Sequence, residues 1–476
     1  MATILGAGDS SSGYDIENSL REYGTDNYEN FTPSSAGNRR TWTWSCWIKP
    51  DVRNQAFNLF GAGDNVNTRA HIDFNTNGDF QVEAKNGGTT KLKHEGTTRL
   101  RDPAAFYHIV WRLDTTDGTA ANRSRVYVNG EQVVFSSLGT TPSQNDELEI
   151  NNNSLHTIAK RGWADENYFP GYIAEAAFTD GTSYAPTQFA ETNSDGVWVP
   201  KDFKDDTTFG SNGFYLEFKQ TGTSANSSGM GADTSGNDNH FSVTGLTAAE
   251  ITTDTPTNNF CTWNPLFTNQ RGTFQYGNTY FTTSVQGSVP YGQNAFGNIA
   301  VNKGKWYCEF RINAVGSGGT LAVGWNERAE DGAYINGHNN LGSSGNTWYG
   351  STNGEIRVGS SSGTNTTSYT TGDIIGAAID LDNNKIHFHK NGSYQRSSDP
   401  ANNTGGDSLS SSYNNYWTPW MSKDDTSNNA TVTLNTGAPN FTISSAQSDD
   451  NGNGIFEYDV PAGYFALCTK NLAQFG

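Results

Sequence analysis

Residues 40–48 read RTWTWSCWI, and this stretch indicates how the first half of the chain folds. Successive side chains of an extended strand point to opposite faces, so Trp42, Trp44 and Cys46 share one face. The residues between them, Thr41, Thr43 and Ser45, share the other. Large apolar side chains that alternate with small polar ones predict a β-strand that buries its aromatic face in a core.

Composition extends this interpretation to the whole chain. The 476 residues include 53 glycines, and only 17% of them are charged. Long windows of good helix formers are rare, because Gly, Pro or Asn interrupts them, so short strands joined by turns are expected. Aromatic residues make up 12% of the chain, and each one that is buried removes about 150–250 Å² from water. We predict an all-β chain of two antiparallel β-sandwich (jelly-roll) domains joined by a Gly/Ser/Asn-rich connector.

Two Asn-Gly pairs mark hairpins, one in each half. RVYVNGEQVV (125–134) and KIHFHKNG (385–392) each place Asn-Gly after a run of alternating residues, and this pair favours a two-residue hairpin turn. In the second run Ile386 and Phe388 share one face, and His387 and His389 share the other. We expect the two histidines to face solvent and not to bind a metal, because zinc needs three or four converging ligands.

Changes in composition along the chain suggest four segments. Residues 1–13 form a Gly/Ser-rich N-terminal arm, and residues 14–220 carry the first series of strands, ending with GFYLEF (213–218). The stretch TGTSANSSGMGADTSGNDNH has little to bury, so residues 221–270 are predicted to be the connector. Residues 271–476 carry the second series of strands.

Net charge, hydropathy and cysteine spacing limit the classes of protein to which this chain is expected to belong. The net charge of −19 opposes binding to nucleic acid, which needs clustered Lys and Arg. No apolar run reaches the length of a membrane span, and the N-terminus lacks the pattern of a secretory signal. The cysteines show no CxxC spacing and are expected to be small buried residues; they are Cys46, Cys261, Cys308 and Cys468.

The two series of strands resemble two known families. WTWSCWIKPD (42–51), FYHIVWRLD (106–114), RVYVNGEQV (125–133) and GYIAEAAFTDG (171–181) are similar to the laminin-G-like, concanavalin-A-like jelly rolls. GKWYCEFRI (304–312), LAVGW (321–325), IIGAAIDLDNNKIHFHKNG (374–392) and TVTLNTGAPNF (431–441) resemble a SPRY domain.

A further resemblance concerns the segments around these domains. The run from Gly171 to Phe203, with NGFYLEF (212–218), DTPTNNFCTWNPL (254–266) and GYFALCTKNL (463–472), is similar to structural proteins of tailed bacteriophages, particularly marine ones. This resemblance implies a virion component on the tail or capsid, made in the host cytoplasm and released by lysis. Its expected partners are other virion proteins and host-surface polysaccharide, and we expect a homo-oligomer.

Two turn-rich stretches combine aromatic rings with polar side chains, as sugar binding requires. In RGWADENYFPG the candidates are Trp163, Asp165, Asn167 and Tyr168; in SSYNNYWTPW they are Tyr416, Trp417 and Trp420, with Tyr413 nearby. The alternative for each ring is burial in the core or at the ends of a sandwich.

Metal binding and catalysis find less support. Asp449, Asn451 and Asn453 are spaced as at the start of an EF-hand loop, but Val460 stands where the closing Glu should be. A tight polar turn is therefore predicted there, with no metal and no cofactor. We find no ExDxxE, GxSxG, HExxH or phosphate-binding loop, and we predict no catalytic residues.

The sequence thus predicts a non-enzymatic phage virion surface protein that binds host-surface glycans. A purely structural decoration or connector protein that binds other virion proteins is the alternative. A polysaccharide depolymerase is a second alternative, since a glycosidase needs only two suitably placed carboxylates.

Overall fold

The chain folds almost entirely into β-strands, as predicted. The computed structural model describes residues 4–5, 13–51, 56–266, 272–284, 293–328, 345–359, 363–409, 416–424 and 428–476. The chain divides into two compact units, Ser10–Thr257 and Asn258–Gly476 with Met1–Asp9, which we call the first and the second sandwich. The first strand of the chain, β1 (Ile4–Leu5), belongs to the second sandwich and pairs in parallel with residues 299–300.

The first sandwich contains eighteen described strands. They are β2 (Ser19–Tyr23), β3 (Tyr28–Phe31), β4 (Thr41–Pro50), β5 (Phe57–Asn65), β6 (Thr68–Phe74), β7 (Phe80–Asn86), β8 (Thr89–Gly96), β9 (Tyr107–Asp114), β10 (Ser124–Val128), β11 (Glu131–Gln132), β12 (Phe135–Thr140), β13 (His156–Ile158), β14 (Pro170–Asp180), β15 (Ala190–Thr192), β16 (Trp198–Pro200), β17 (Phe214–Leu216), β18 (Ser242–Thr244) and β19 (Ile251–Thr252). Short 3₁₀ turns lie at Ala120–Asn122, Pro186–Gln188 and Ala248–Glu250.

Sixteen of these strands form two antiparallel sheets, and β15 and β16 pair with each other as a separate two-stranded sheet. Sheet 1 has the order β11-β10-β9-β4-β14-β2-β19, with β17 also paired to β14, and sheet 2 has the order β12-β8-β7-β6-β5-β13-β3-β18. A core cluster joins the two sheets and includes Trp42, Trp44 and Cys46, which confirms the aromatic face predicted for residues 40–48. Thr43 and Ser45 are buried as well, so both faces of this strand are covered.

The boundary between the sandwiches differs from the predicted one. Phe241 and Leu246 are buried in the core of the first sandwich, and β18 and β19 pair with β3 and β2. Residues 221–257 are thus part of the first sandwich and residues 258–266 part of the second, where a connector spanning 221–270 was expected. Apart from β1 and Gly13, the predicted N-terminal arm lies outside the described residues, as do residues 267–270.

The second sandwich contains the remaining strands and the single α-helix of the described residues, α1 (Thr469–Phe475). Its strands are β20 (Gly272–Gln275), β21 (Tyr280–Thr283), β22 (Asn294–Phe296), β23 (Ile299–Ala300), β24 (Lys305–Ala314), β25 (Thr320–Arg328), β26 (Asn346–Gly350), β27 (Glu355–Val358), β28 (Thr364–Asn365), β29 (Ile374–Asp380), β30 (Lys385–Lys390), β31 (Ser393–Tyr394), β32 (Asp407–Ser408), β33 (Tyr416–Asp424), β34 (Thr431–Asn435) and β35 (Phe465–Ala466). A 3₁₀ turn lies at Gln395–Ser397.

Two larger sheets enclose the core of the second sandwich. Sheet 3 has the order β20-β21-β34-β24-β29-β30-β31, with β32 on β30 and β35 on β24. Sheet 4 has the order β22-β33-β25-β26-β27-β28. No helix among the described residues has the length and hydropathy needed to cross a membrane.

Both predicted hairpins are present. Asn129 and Gly130 have φ of 49° and 81°, and Asn391 and Gly392 have φ of 49° and 79°, the positive values that a type I′ turn requires. All four cysteines are buried and free, as expected for small core residues.

The solvent-facing placement expected for His387 and His389 is wrong. Each is 1% exposed. The rings of Tyr394 and Tyr458 pack edge-on against His389, and the Tyr307 ring stacks on it. Residues C-terminal to β34 thus help to cover the second face of sheet 3, which the alternating pattern of one strand does not reveal.

Gly376 makes room for His389, and this contact yields a prediction. The two residues pair across β29 and β30, and a Cβ at position 376 would lie 1.9 Å from His389 Nε2. The imidazole cannot easily move away, because the same Nε2 is hydrogen-bonded to Tyr307 Oη at 2.7 Å. We expect Gly376→Ala to destabilise the second sandwich by about 1–3 kcal/mol, as overpacking does.

Hydrogen exchange of peptides from residues 374–390, followed along a urea series, measures this change. Gly118→Ala is the matched control, since a Cβ there meets nothing within 4 Å. Equal protection in the two variants would contradict the prediction.

Candidate functional site

The loop of residues 159–169, between β13 and β14, is folded back over sheet 2. Ala159 and Asn167 have positive φ of 65° and 57°, which turns the chain at both ends of the loop. The Asn58 amide donates to Asn167 O at 2.8 Å, and the Phe169 amide donates to Ala159 O at 2.7 Å. The backbone hydrogen bonds thus hold the loop against β5, next to the outer face of sheet 2.

That outer face carries charged side chains in register. Arg69, His71 and Asp73 alternate along β6, and cross-strand pairing places Lys85, Glu83 and Gln81 beside them on β7. Arg69 Nη2 donates to Glu83 Oε2 at 2.8 Å, and Arg161 Nη2, from the loop, donates to Asp73 Oδ2 at 3.0 Å. The loop and the sheet are therefore joined by ion pairs.

The cations hold both carboxylates in the ionised form. Burial alone would raise the pKa of Asp73, but the charges of His71 and Arg161 lower it below its ordinary value. Burial likewise opposes ionisation of Glu83, and the hydrogen bond and charge of Arg69 lower its pKa. Neither carboxyl is therefore kept protonated near neutral pH.

Trp163 lies over this charged face. Its ring centroid is 4.9 Å from that of His71, and the guanidinium carbons of Arg69 and Arg161 lie 5.1 and 5.7 Å from it. Trp163 belongs to none of the apolar core clusters and remains partly exposed. The ring is thus held by cations on one side, because cations are attracted to the face of an aromatic ring. Part of the ring is open to solvent.

A second group of aromatic residues lies at the other end of the loop. Lys160 Nζ is 4.1 Å from the centre of the Tyr28 ring, and the Tyr28 and Tyr168 ring centroids are 6.3 Å apart. Lys160 also donates to Asp165 Oδ1, and the Asp165 side chain is 86% exposed. The hydrogen bond from Lys160 lowers the pKa of Asp165, so this carboxylate is ionised and held in place.

Asn167 has a supporting position. With its amide oriented so that the oxygen faces Arg161, that oxygen accepts hydrogen bonds from Arg161 Nη2 at 3.1 Å and Nε at 3.2 Å. Its side chain holds Arg161 in place, and Arg161 in turn lies beneath Trp163. The structure places Trp163 and Asn167 around Arg161, and it places Asp165 and Tyr168 around Lys160. The contact of these four residues with sugar stays a prediction.

The second predicted cluster is not a surface site. Trp417 and Trp420, on β33, are 1% and 0% exposed. Trp417 lies in the main core of the second sandwich, and Trp420 packs with Phe296, Ala322 and Trp348 on the other face of sheet 4. Because β33 lies between β22 and β25 and both faces are covered, these rings cannot reach a ligand. Tyr416 is half-buried, and Tyr413 lies outside the described residues.

Sequence reasoning missed the residues that surround Trp163 and Tyr168. Tyr28, Arg69, Asp73 and Glu83 come from three separate strands, and Arg161 opens the predicted motif but was not among its candidates. The signal that could have found them is the spacing of charges at i, i+2 in TRAHIDF (68–74) and FQVEAKN (80–86), which places those charges on one strand face.

One buried serine–histidine pair resembles part of a catalytic dyad. Ser45 Oγ lies 2.8 Å from His108 Nε2, and Trp198 Nε1 donates to His108 Nδ1 at 3.1 Å. Because Nδ1 accepts, the neutral imidazole carries its proton on Nε2 and donates to Ser45. Burial also lowers the pKa of His108 to about 3, so His108 is a poor base for activating Ser45.

The predicted polar turn at Asp449 is present. Its carboxylate accepts backbone N–H groups from Asn451, Asn453 and Ala466 at 2.8–2.9 Å and the side-chain amide of Asn471 at 2.7 Å. Within the described ranges, no group of three or more His, Cys, Asp or Glu side chains is placed to hold a metal ion.

Two regions of the chain match known family models. Residues 23–185 match the concanavalin A-like lectin/glucanases superfamily, and residues 305–404 match the SPRY domain. The first region contains loop 159–169 and most of sheet 2. These matches confirm the two resemblances at the level of domains, and a search of curated proteins finds no match.

Solved structures add likenesses of fold. A candidate carbohydrate-binding protein from Bacteroides ovatus is 14% identical with a TM-score of 0.35; the match covers 50% of this chain and 60% of that chain. The SPRY domain of human HERC1 is 17% identical with a TM-score of 0.25, covering 37% and 92%. The CBM40 domain of a Ruminococcus gnavus sialidase, bound to α2,3-sialyllactose, is 14% identical with a TM-score of 0.24, covering 34% and 89%. Sequence identities and TM-scores this low do not indicate a shared activity.

Proposed function

We propose that this chain is a non-enzymatic surface protein of a tailed-bacteriophage virion, displayed on the tail or capsid, and that loop 159–169 binds host-surface polysaccharide. The observation that carries the glycan part is the partly exposed Trp163 ring, fixed over a charged sheet face, in the same loop as Tyr168 and Asp165. The match of residues 23–185 to a superfamily that includes lectins supports it.

The chemistry of sugars suits this surface. A pyranose ring offers an apolar face of C–H groups, which stacks on an aromatic ring, and hydroxyls at its edge, which need polar partners. Binding sites of this kind combine aromatic lining with a few fixed polar groups that set orientation. Trp163, Tyr28 and Tyr168 supply rings, and Asp165 supplies an acceptor.

The carboxylates of sheet 2 favour binding over hydrolysis. A glycosidase needs one carboxylic acid whose pKa is raised so that it can protonate the leaving oxygen. The neighbouring cations lower the pKa of both Asp73 and Glu83. Neither Asp73 nor Glu83 therefore has the raised pKa that a general acid needs.

The virion assignment rests on the resemblance of residues 171–203, 212–218, 254–266 and 463–472 to phage structural proteins. Weak binding at a small loop suits a particle that displays many copies, because linked sites bind with far greater avidity than one. Other virion proteins and further copies of this chain are the partners we propose, with host polysaccharide as the ligand.

Replacing Trp163 tests the glycan site. We expect Trp163→Ala to weaken binding to host polysaccharide by on the order of 30-fold, which corresponds to about 2 kcal/mol for the loss of a central aromatic contact. Trp163→Phe keeps a ring and should retain most of the binding. Affinity is measured by isothermal titration, with hydrogen exchange of the first sandwich as the check on folding.

The other outcomes separate the alternatives. If Trp163→Ala and Trp163→Phe both bind the polysaccharide as tightly as the wild type does, the site is contradicted. Absence of binding by the wild-type chain to any host glycan would favour the decoration protein. Release of reducing ends from the polysaccharide would instead favour a depolymerase.

A further inference from the structure

The cations near loop 159–169 are turned away from solvent. The Lys160 side chain is 8% exposed, packs on Tyr28 and is paired with Asp165. Arg69 is 10% exposed and paired with Glu83. Arg161 is 24% exposed and binds both Asp73 and Glu166. Each positive charge therefore has a carboxylate partner and offers little to an anionic ligand.

The carboxylates, by contrast, are presented outward. Asp165 is 86% exposed and Glu166 is 54% exposed. Asp26, which is exposed, lies close enough to Tyr168 to help raise the pKa of its hydroxyl, after burial and Asp165. The accessible charge around the Tyr28–Tyr168 ring pair is thus negative.

One oxygen of Asp165 is available to a ligand. Lys160 Nζ and Tyr168 Oη both reach Oδ1. Within the described residues Oδ2 receives no hydrogen bond, and it lies on a carboxylate that Lys160 already holds in place. A fixed carboxylate oxygen beside aromatic rings accepts hydrogen bonds from hydroxyl groups, accepts stronger ones from ammonium groups, and repels other carboxylates and sulfates.

We infer that Asp165 makes this site select sugars that are neutral or carry an amine, and exclude uronic acids and sulfated sugars. The inference rests on the proposed function, since it assigns the ligand class of the same site. Within that class the amine-bearing sugar binds best, because its ammonium group can pair with Asp165 Oδ2.

The experiment compares three short oligosaccharides with the full-length chain: oligomers of glucosamine, of N-acetylglucosamine and of galacturonic acid. Titrations are run at mildly acidic pH, where the amine is protonated and Asp165 is ionised. We expect the glucosamine oligomer to bind about tenfold more tightly than the acetylated one, and the galacturonate oligomer to bind at least about tenfold more weakly than the acetylated one. Asp165→Asn should remove both differences.

A matched variant controls for overall charge. Asp424→Asn makes the same charge change at an exposed position of the second sandwich, and it should leave all three affinities unchanged. If it reduces the preference for glucosamine as much as Asp165→Asn does, general attraction to an acidic protein explains the preference, and the inference is overturned.

Two further outcomes are distinguishable. Galacturonate binding that equals or exceeds that of the other oligomers, and that still depends on Trp163, would overturn the selectivity and leave the glycan site standing. Failure of every oligomer and of host polysaccharide to bind would overturn the proposed function and this inference together.

Discussion

Replacement of Asp254 by alanine is expected to lower the free energy of unfolding of the first sandwich by about 3–5 kcal/mol. Lys49 Nζ and Asp254 Oδ2 are 2.6 Å apart, and the two side chains are 1% and 0% exposed. Lys49 also lies over the rings of Phe106 and Tyr172. The variant would leave an ammonium group buried without this carboxylate, which is far more costly than loss of an exposed pair.

The measurement is hydrogen exchange along a urea series, read on peptides of residues 13–257. Peptides of the second sandwich serve as an internal reference in the same sample. The matched control is Glu17→Ala, which removes a pair with Lys219 whose side chains are 67% and 46% exposed; it should produce no measurable change.

A double replacement separates charge burial from packing. Lys49→Met combined with Asp254→Leu should recover most of the stability that Asp254→Ala loses, because apolar side chains of similar size can replace a buried ion pair. The result also bears on the domain boundary. Asp254 falls within residues 221–270. An Asp254→Ala variant of unchanged stability would therefore contradict the placement of residues 221–257 in the first sandwich and favour the predicted connector.

Replacement of Glu29 by glutamine is expected to stabilise the first sandwich above pH 7. Glu22 on β2 and Glu29 on β3 are each 0% exposed. Leu20 lies two residues before Glu22 on β2, and Ile158 pairs with Glu29 across β13 and β3. Both apolar residues belong to the core between sheets 1 and 2. Outside this pair, none of the four carboxylate oxygens has a hydrogen-bond partner among the described residues. Contact between two such carboxyls is favourable only when they share a proton.

The sign of the pH dependence follows from this burial. Burial raises the pKa of Glu29 from 4.5 to about 7, although the polar groups of Glu22 and of the Glu29 backbone oppose the rise. Burial, and then the charges of Glu29 and Glu250, raise the pKa of Glu22 well above its ordinary value. The stabilising contribution of protonated Glu29 is complete below pH 4.5, falls as the pH rises, and is lost above about pH 7.

Glutamine at position 29 keeps the shape of the side chain, never ionises and can donate an amide hydrogen to Glu22. The loss that the wild type suffers between pH 4.5 and about 7, on the order of 3 kcal/mol for Glu29, should therefore shrink. Hydrogen exchange of the first sandwich at a series of pH values measures it. Glu131→Gln, at an exposed strand end, is the control. A profile for Glu29→Gln that runs parallel to the wild type would rule the idea out.

Features carried by adjacent residues were predictable. The core face of Trp42, Trp44 and Cys46 follows from the alternation of side chains along one strand, and the Asn129–Gly130 turn follows from the φ angles that these two residues tolerate. The position of Trp163 in an irregular loop also followed from local sequence.

Features that depend on a second segment were not predictable. The turn-rich composition around Trp417 placed it in a surface cluster, and the alternating pattern placed His389 in solvent. Both are buried because other segments cover those faces. The same reason applies to residues 221–257. Their composition resembles a linker, yet Phe241, Leu246 and Asp254 each find a partner far away in the chain.

The sequence by itself determined that this protein is made of strands, that aromatic rings form its cores, and where two of its hairpins turn. These properties depend on side-chain alternation and on backbone angles within a few residues. Only the tertiary structure decided where the sandwiches divide, which aromatic rings stay accessible, and which charges surround Trp163 and Asp165. Those properties depend on burial, and burial is a relation between segments that the chain brings together from a distance.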